Sequence, residues 1–277
     1  MTNDGAQAAI DAKNRQFWNE LCGSQLAREL GIQDSSPASL KLFDDWYMDF
    51  YPYLGKHLPF DEMCGKQVLE VGLGYGTVSQ KIAEAGAFYH GLDVAEGPVS
   101  MANDRLRQNR LGGQARQGSI LDCPFEDTQF DWCVAVGCYH HTGNLQRAID
   151  ETWRVLKPGG TAVIMVYNAY SYRRWHYHPR ETFAYLLADK LGLGTGGGKA
   201  SAAERQQYDV SGDGVAAPET VFTSAAAMQR MAANWSSCVV RRENVTTESI
   251  FRNMDRKTSC RYAGPLLGLD IYSRLRK

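Results

Sequence analysis

The chain has 277 residues, enough for one large α/β domain or for a domain carrying an elaborate insertion. Thirty basic residues against thirty-one acidic ones leave a formal charge of -1, which excludes a chain-wide field of the kind that gathers nucleic acid or an anionic membrane. Seven cysteines, scattered, odd in number and never in C-x-x-C spacing, argue against a disulfide framework and against a zinc site.

No basic segment followed by an apolar one opens the chain, and no run of about eighteen apolar residues occurs, so the reading is of a soluble, cytoplasmic protein without a membrane partner. Residues 1–60 read as a helical, aromatic cap. NRQFWNELCGSQLAREL, with Phe17 and Trp18, has apolar residues near helical spacing, and LKLFDDWYMDFYPYL gathers Trp46, Tyr47, Phe50 and Tyr51 into one amphipathic stretch. From Gln67 strands and helices alternate. QVLEVGL is a strand, TVSQKIAEAGA a helix ending at Gly86, FYHGLDV a second strand, and GPVSMANDRLRQNRLG a helix with Pro98 in its first turn and Gly112 past its end. ARQGSIL and FDWCVAVG are the third and fourth strands, LQRAIDETWRVL the next helix, KPGG a turn and TAVIMVYN the fifth strand. Such alternation predicts a mostly parallel sheet with helices on both faces. After Asn168 the rhythm stops. Residues 169–222 read as an insertion whose aromatic density marks it as a functional lid. TSAAAMQRMAANW then resumes as a helix, with SCVVRREN and LGLDIYSRLRK as two last strands.

The stretch VLEVGLGYGT places a glycine loop at the carboxyl end of the first strand, where open α/β sheets bind ligands. Gly72, Gly74 and Gly76 give G-x-G-x-G, with Thr77 where a dinucleotide fingerprint requires its third glycine, and no G-K-[ST] follows to make a P-loop. Glu70, two residues before the first glycine, would repel a pyrophosphate but could pair with a cation or an amine. The expected ligand carries positive charge.

Taken in order, VLEVGLGYGT, GLDVAEGPVSMA, GSILDCPFEDTQFDWCVAVGCYHHT and RVLKPGGTAVIMVYN resemble the successive motifs of class I S-adenosylmethionine-dependent methyltransferases, over roughly residues 66–168. The resemblance implies an α/β, Rossmann-like seven-stranded mixed sheet with five or so parallel strands and an antiparallel last one. Residues 61–277 would form the cofactor-binding domain, with the substrate lid at 169–222. S-adenosylmethionine would be the cofactor and S-adenosylhomocysteine the product. Glu70 and the backbone around Gly72, Gly74 and Gly76 would hold the methionine portion, and Asp93 would accept hydrogen bonds from the ribose hydroxyls. Many relatives have an aspartate where Ser119 stands. Here Ser119 and the amide of Ile120 would address the adenine edge, with Asp122 toward solvent, and Gly137 would pass beside the sulfonium.

His140 and His141, in GCYHHTGN, follow the fourth strand and are the candidate catalytic residues, since imidazole takes a proton near neutral pH; the competing role is to hold the loop by hydrogen bonds. In YNAYSYRRWHYH, Tyr172, Arg173, Arg174 and Trp175 are candidate substrate contacts, rings stacking and guanidiniums pairing with a carboxylate or phosphate. The alternative there is a lid helix with solvated arginines. These features point to methylation of an oxygen, nitrogen or sulfur of a small molecule, aromatic or anionic. His176 and His178 have no acidic or cysteine ligand nearby, and no metal is expected. The rival readings are a methyltransferase acting on RNA or protein, for which the basic stretch RRENVTTESIFRNMDRKTSCR is the candidate surface, and a non-catalytic protein that binds the cofactor. Oligomeric state is left open, a homodimer being one option.

Overall fold

The computed structural model describes residues 4–20, 25–193, 198–246 and 251–277. Four helices come first: α1 (Asp4–Trp18), α2 (Gln25–Leu30), α3 (Pro37–Phe50) and α4 (Leu54–His57). The alternating core follows as β1 (Gln67–Val71), α5 (Thr77–Glu84), β2 (Phe88–Asp93), α6 (Glu96–Gln108), β3 (Gln114–Gln117), β4 (Phe130–Val136), α7 (Leu145–Val155) and β5 (Leu156–Tyr167). The connection after β5 holds α8 (Tyr172–Tyr177), α9 (Pro179–Lys190), β6 (Gly198–Lys199), α10 (Ala202–Arg205) and β7 (Val221–Phe222), with β6 and β7 pairing antiparallel. The chain then returns through α11 (Ala225–Met231), β8 (Ser237–Glu243), α12 (Arg256–Tyr262), α13 (Gly264–Leu267) and β9 (Asp270–Arg276).

Seven strands make one mixed sheet in the order β3-β2-β1-β4-β5-β9-β8. β1 to β5 are parallel, and β9 runs antiparallel between β5 and β8. Strands buried on both faces read as nearly continuous apolar runs, and their alternate residues enter two separate cores. Leu69, Val71, Cys133 and Ala135 belong to one core; Val68, Trp132 and Val134 belong to the other. The expected seven-stranded α/β architecture is observed, with three local corrections. KPGG is not a plain turn, because pairing steps from Phe130↔Leu156 to Trp132↔Thr161 and leaves Lys157–Gly160 as a bulge within β5. The third strand stops at Gln117, where Gly118 donates its N–H to the carbonyl of Asp93 and the chain turns away. α12 takes up the end of the segment read only as a basic stretch, and α13 follows it before the last strand.

Six cysteines, Cys64, Cys123, Cys133, Cys138, Cys238 and Cys260, are free thiols, and Cys22 lies outside the described residues. Among the described residues no helix is long and apolar enough to cross a membrane.

The cap is fastened to the glycine loop by a buried arginine. Arg105 of α6 is 1 % exposed and makes a bidentate pair with Asp44 of α3 at 2.8 and 2.9 Å. It also donates to Gln80 and to the carbonyl of Tyr75. Phe43 stacks on Tyr75 with ring centroids 4.0 Å apart, so the same loop residue is held from both ends. A guanidinium fork suits this role because it satisfies several acceptors at once. Removing one member of a buried pair strands its partner. Arg105→Ala is expected to cost about 3 kcal/mol of unfolding free energy by urea denaturation, and Arg105→Lys to recover only part of it.

Glu70 is the second buried charge in this region. Its side chain takes the face of β1 shared with Val68, where Ser79 and the hydroxyl of Tyr89 both donate to Oε2, at 2.6 and 2.8 Å. Burial pushes its carboxyl from the ordinary 4.5 up to about 7, the two hydroxyl donors only partly opposing that rise. Between those values the folded chain keeps a proton that the unfolded chain releases, so the stability contributed by this group falls as pH rises through that window. Urea midpoints measured on the wild type and Glu70→Gln are expected to diverge as pH rises from about 4.5 to 7, with the wild type losing on the order of 2 to 3 kcal/mol relative to the variant.

Candidate active site

The winding of the sheet reverses between β1 and β4, and a crevice of about 850 Å³, including the space open at its mouth, lies beyond the carboxyl ends of these strands. Its walls are Val71, Gly72, Gly74 and Asp93 on one side and Val136 to Cys138 with His141 and Thr142 on the other. Gly118, Ser119 and Ile120 close one end, and Asp11, Asn14 and Trp18 of α1 form the roof.

Local chemistry explains this shape. At Gly72 the backbone has φ +78°, and a Cβ there would stand 2.4 Å from the Cβ of Cys138. Only glycine permits the two loops to approach so closely. Asp93 then ties the loop to β2: one carboxylate oxygen accepts from the Leu73 amide at 2.8 Å, the other from the Ala95 amide at 2.9 Å. Burial nevertheless raises its carboxyl to about 6, outweighing these backbone donors. Asp93 also lines the crevice, and a carboxylate has acceptor capacity beyond these amide bonds. Ser119 caps the short turn 120–122 by accepting from Leu121 N, which exposes the Ser119–Ile120 backbone at the crevice end. Asp122 is exposed.

Of the residues expected to hold a cofactor, Gly72, Gly74, Asp93, Ser119, Ile120 and Gly137 line the crevice. Glu70 and Gly76 do not. Glu70 points beneath the loop, as described above, and a Cβ on Gly76 would meet Arg105 at 2.9 Å and the Ala102 backbone at 3.2 Å, so this glycine serves loop-to-helix packing. The strand's own alternation signals the first case, since Glu70 shares the parity of the core residue Val68.

The two histidines differ. His141 is 3 % exposed and borders the crevice, with its ring 4.8 Å from that of Trp18. Nδ1 lies 2.7 Å from the carbonyl of Glu219, which only accepts, so Nδ1 carries the proton and Nε2 is the bare nitrogen of the neutral ring. His140 is fully buried behind it, its ring 4.0 Å from that of Tyr167. Burial holds both imidazoles below their ordinary range, His140 the further.

The expected substrate residues lie away from the crevice wall. Tyr172 is buried in the core beneath α8, edge-on to Phe251. Arg174, 4 % exposed, pairs with Glu204 at 2.7 Å and lies over the ring of Phe222, which leaves its charge compensated inside the insertion. Arg173 leans on Tyr208 and donates to the carbonyl of Gln207, and Trp175 is exposed. The aromatic cap expected over residues 1–60 does bring Trp18 to the crevice, but the sequence reading missed Asp11 and Asn14 of α1. Asp11, Asn14 and Trp18 stand at i, i+3 and i+7, one helical face, and that spacing was the available signal. Asn14 and Gln7 donate to the carbonyls of His141 and Thr142 at 2.6 and 2.8 Å, docking the helix on the turn after β4.

Residues 69–164 match the methyltransferase domain family. The chain is 31% identical over 122 residues to a demethylmenaquinone methyltransferase of Tropheryma whipplei, covering 44% of this chain and 46% of that protein. It is 29% identical over 108 residues to phosphoethanolamine N-methyltransferase 2 of Caenorhabditis elegans, covering 38% and 24%. It thus spans less than half the length of these relatives. The fold is shared with an S-adenosylmethionine-dependent methyltransferase from Mesorhizobium loti, with a TM-score of 0.54 at 14% identity over 82% of this chain and 97% of that one. Residues 69–164 thus match a methyltransferase domain, and the sheet order with its switch-point crevice is the fold shared with S-adenosylmethionine-dependent methyltransferases.

Proposed function

We propose that the protein transfers a methyl group from S-adenosylmethionine to an oxygen, nitrogen or sulfur of a small, ring-bearing molecule. The observation that carries this reading is the crevice itself: a bare glycine wall at Gly74, the Asp93 carboxylate and the Ser119–Ile120 backbone all open onto one space. The position a Cβ on Gly74 would take has no atom within 4 Å, so the loop leaves room there for a ligand to lie against main chain. These residues fit the cofactor. Asp93 would accept from the ribose hydroxyls, Ser119 and Ile120 would meet the adenine edge, and Gly137 would leave room beside the sulfonium. When bound, the cofactor supplies an electrophilic methyl on a positively charged sulfur.

The chain's own part is orientation and exclusion of water, because in-line displacement requires nucleophile, methyl carbon and sulfur to be nearly collinear. Gly137 to Thr142 and the ring of Trp18 wall the acceptor side. Of the two histidines, His141 is the one that borders an acceptor there, through the face toward Trp18, while His140 supports it from behind. A flat ring between Trp18 and the turn after β4 suits this wall. An anionic group finds less support, since Arg174 is already paired with Glu204. Both relatives described above are named for small-molecule acceptors, which agrees with the reading.

Incubation with labelled S-adenosylmethionine and a metabolite extract, followed by mass analysis, is expected to yield a labelled small product and S-adenosylhomocysteine. Cofactor binding without any labelled product would leave a non-catalytic binder. Asp93→Ala is expected to weaken cofactor binding by roughly 1 to 3 kcal/mol in calorimetry through lost ribose hydrogen bonds, whereas Glu70→Gln leaves it nearly unchanged. Equal losses in the two variants would return Glu70 to the pocket.

A further inference from the structure

Behind the turn after β4, three side chains from distant parts of the chain converge. His140, His141 and Asp209 each offer a donor atom, and these atoms lie within 4.8 Å of one another. Asp209 comes from the insertion. Its Oδ2 accepts from the hydroxyl of Tyr167 at 2.9 Å, which fixes the carboxylate, and stands 3.4 Å from Nε2 of His141. That short approach is not a hydrogen bond, and Nε2 has no other partner among the described residues. With Nδ1 engaged by the Glu219 carbonyl, Nε2 is the ring nitrogen turned to the carboxylate oxygen. Two electron-rich atoms at this distance repel unless positive charge lies between them. His140 adds a second anomaly: it is fully buried, and neither ring nitrogen has a hydrogen-bond partner among the described residues. A buried imidazole without partners is costly, and such groups call for an explanation.

We propose that His140, His141 and Asp209 form a binding site for a divalent first-row transition-metal ion behind the turn after β4, next to the crevice that His141 borders. Two imidazoles and one carboxylate are a donor set suited to such ions, and three protein ligands leave coordination positions open for water or an acceptor oxygen. The outer contacts agree: a metal-binding histidine commonly donates its other N–H to a backbone carbonyl, as His141 does to Glu219, and the ligating carboxylate is hydrogen-bonded, as Asp209 is by Tyr167. Ligands about 2.0 to 2.2 Å from one ion sit roughly 3 to 3.5 Å apart. The His141–Asp209 pair already has that spacing, and all three donor atoms lie within 4.8 Å of one another.

The test uses the full chain stripped with EDTA, titrated with Co²⁺ and with Zn²⁺ by calorimetry, and with Co²⁺ also by visible absorption. One ion per chain is expected. His141→Gln and Asp209→Asn should each weaken it by roughly 100-fold, and His140→Phe, which keeps the stacking on Tyr167, by a similar factor. His178→Ala, on the exposed insertion, should not change it. Circular dichroism and cofactor affinity establish that each variant is folded, and Asp209→Asn, nearly the same shape, keeps the test valid if a histidine variant fails to fold. Absence of binding, equal binding by the three variants, or loss only in His178→Ala overturns the site. Metal binding stands apart from methyl transfer: a chain that takes the ion but not the cofactor retains the site and loses the proposed function. One that takes no ion and turns over fully in EDTA does the reverse.

Discussion

Everything at the ligand-binding edge follows from the contact between Gly72 and Cys138. β1 and β4 are neighbours whose crossovers leave the sheet in opposite directions, so no crossover helix covers the gap beyond their ends. The two loops must therefore close the edge themselves, and they do so at a separation that excludes even a methyl group on Gly72. With the loops in contact at their base, the backbone above them is forced apart into a crevice. Asp93 then holds the loop in register with β2 through the amides of Leu73 and Ala95. Arg105 holds it from the far side through Tyr75 and Asp44. The site is a property of this clamped main chain before any side chain adds specificity.

That explains which parts were legible in the sequence. Strands buried on both faces and amphipathic helices leave a periodic trace over five or more residues, so the succession of β1 to β5 along the chain could be read, and their alternation with helices implied a mostly parallel sheet. The glycine spacing and Asp93 lie within single motifs and were equally readable. Glu70 was assigned to the ligand on its motif position although its parity with Val68 puts it under the loop, where Ser79 and Tyr89 satisfy it. The KPGG bulge and the short α12 and α13 left no periodic trace, because one step of register or a single helical turn is decided by tertiary packing.

The acceptor side was the least legible because its residues are brought together only by folding. Asp209 stands 68 positions from His141 (209 − 141) and reaches it through an irregular connection. Tyr167 ends β5 and bridges the two, touching His140 with its ring and Asp209 with its hydroxyl. No local pattern encodes such a meeting. The arginine-rich stretch after β5 was read as substrate contact for the opposite reason: its composition is conspicuous, but Arg174 needed a buried partner, and Glu204 of the capping box at α10 supplies it. Charge compensation inside the insertion took precedence over charge presented to a ligand, as expected where burial makes an unpaired guanidinium expensive.

The roof of the crevice differs energetically from its walls. The walls are strand ends and loops continuous with two cores, whereas α1 has one fully buried residue among those with a described side chain, Asn14, and meets the rest of the molecule through polar contacts to backbone carbonyls and through the partly buried Ile10, Phe17 and Trp18. Each such hydrogen bond contributes only about 1 kcal/mol net, and Ile10, Phe17 and Trp18 add apolar contact that belongs to neither main core. α1 is therefore the wall that lies outside both cores, and it is also the one that brings Asp11, Asn14 and Trp18 to the crevice. A ligand that touches those three residues gains contacts that exist only when α1 is docked, so binding and docking favour each other by mass action. The aromatic ring of Trp18 sits at the centre of that linkage, against the histidine that faces the acceptor.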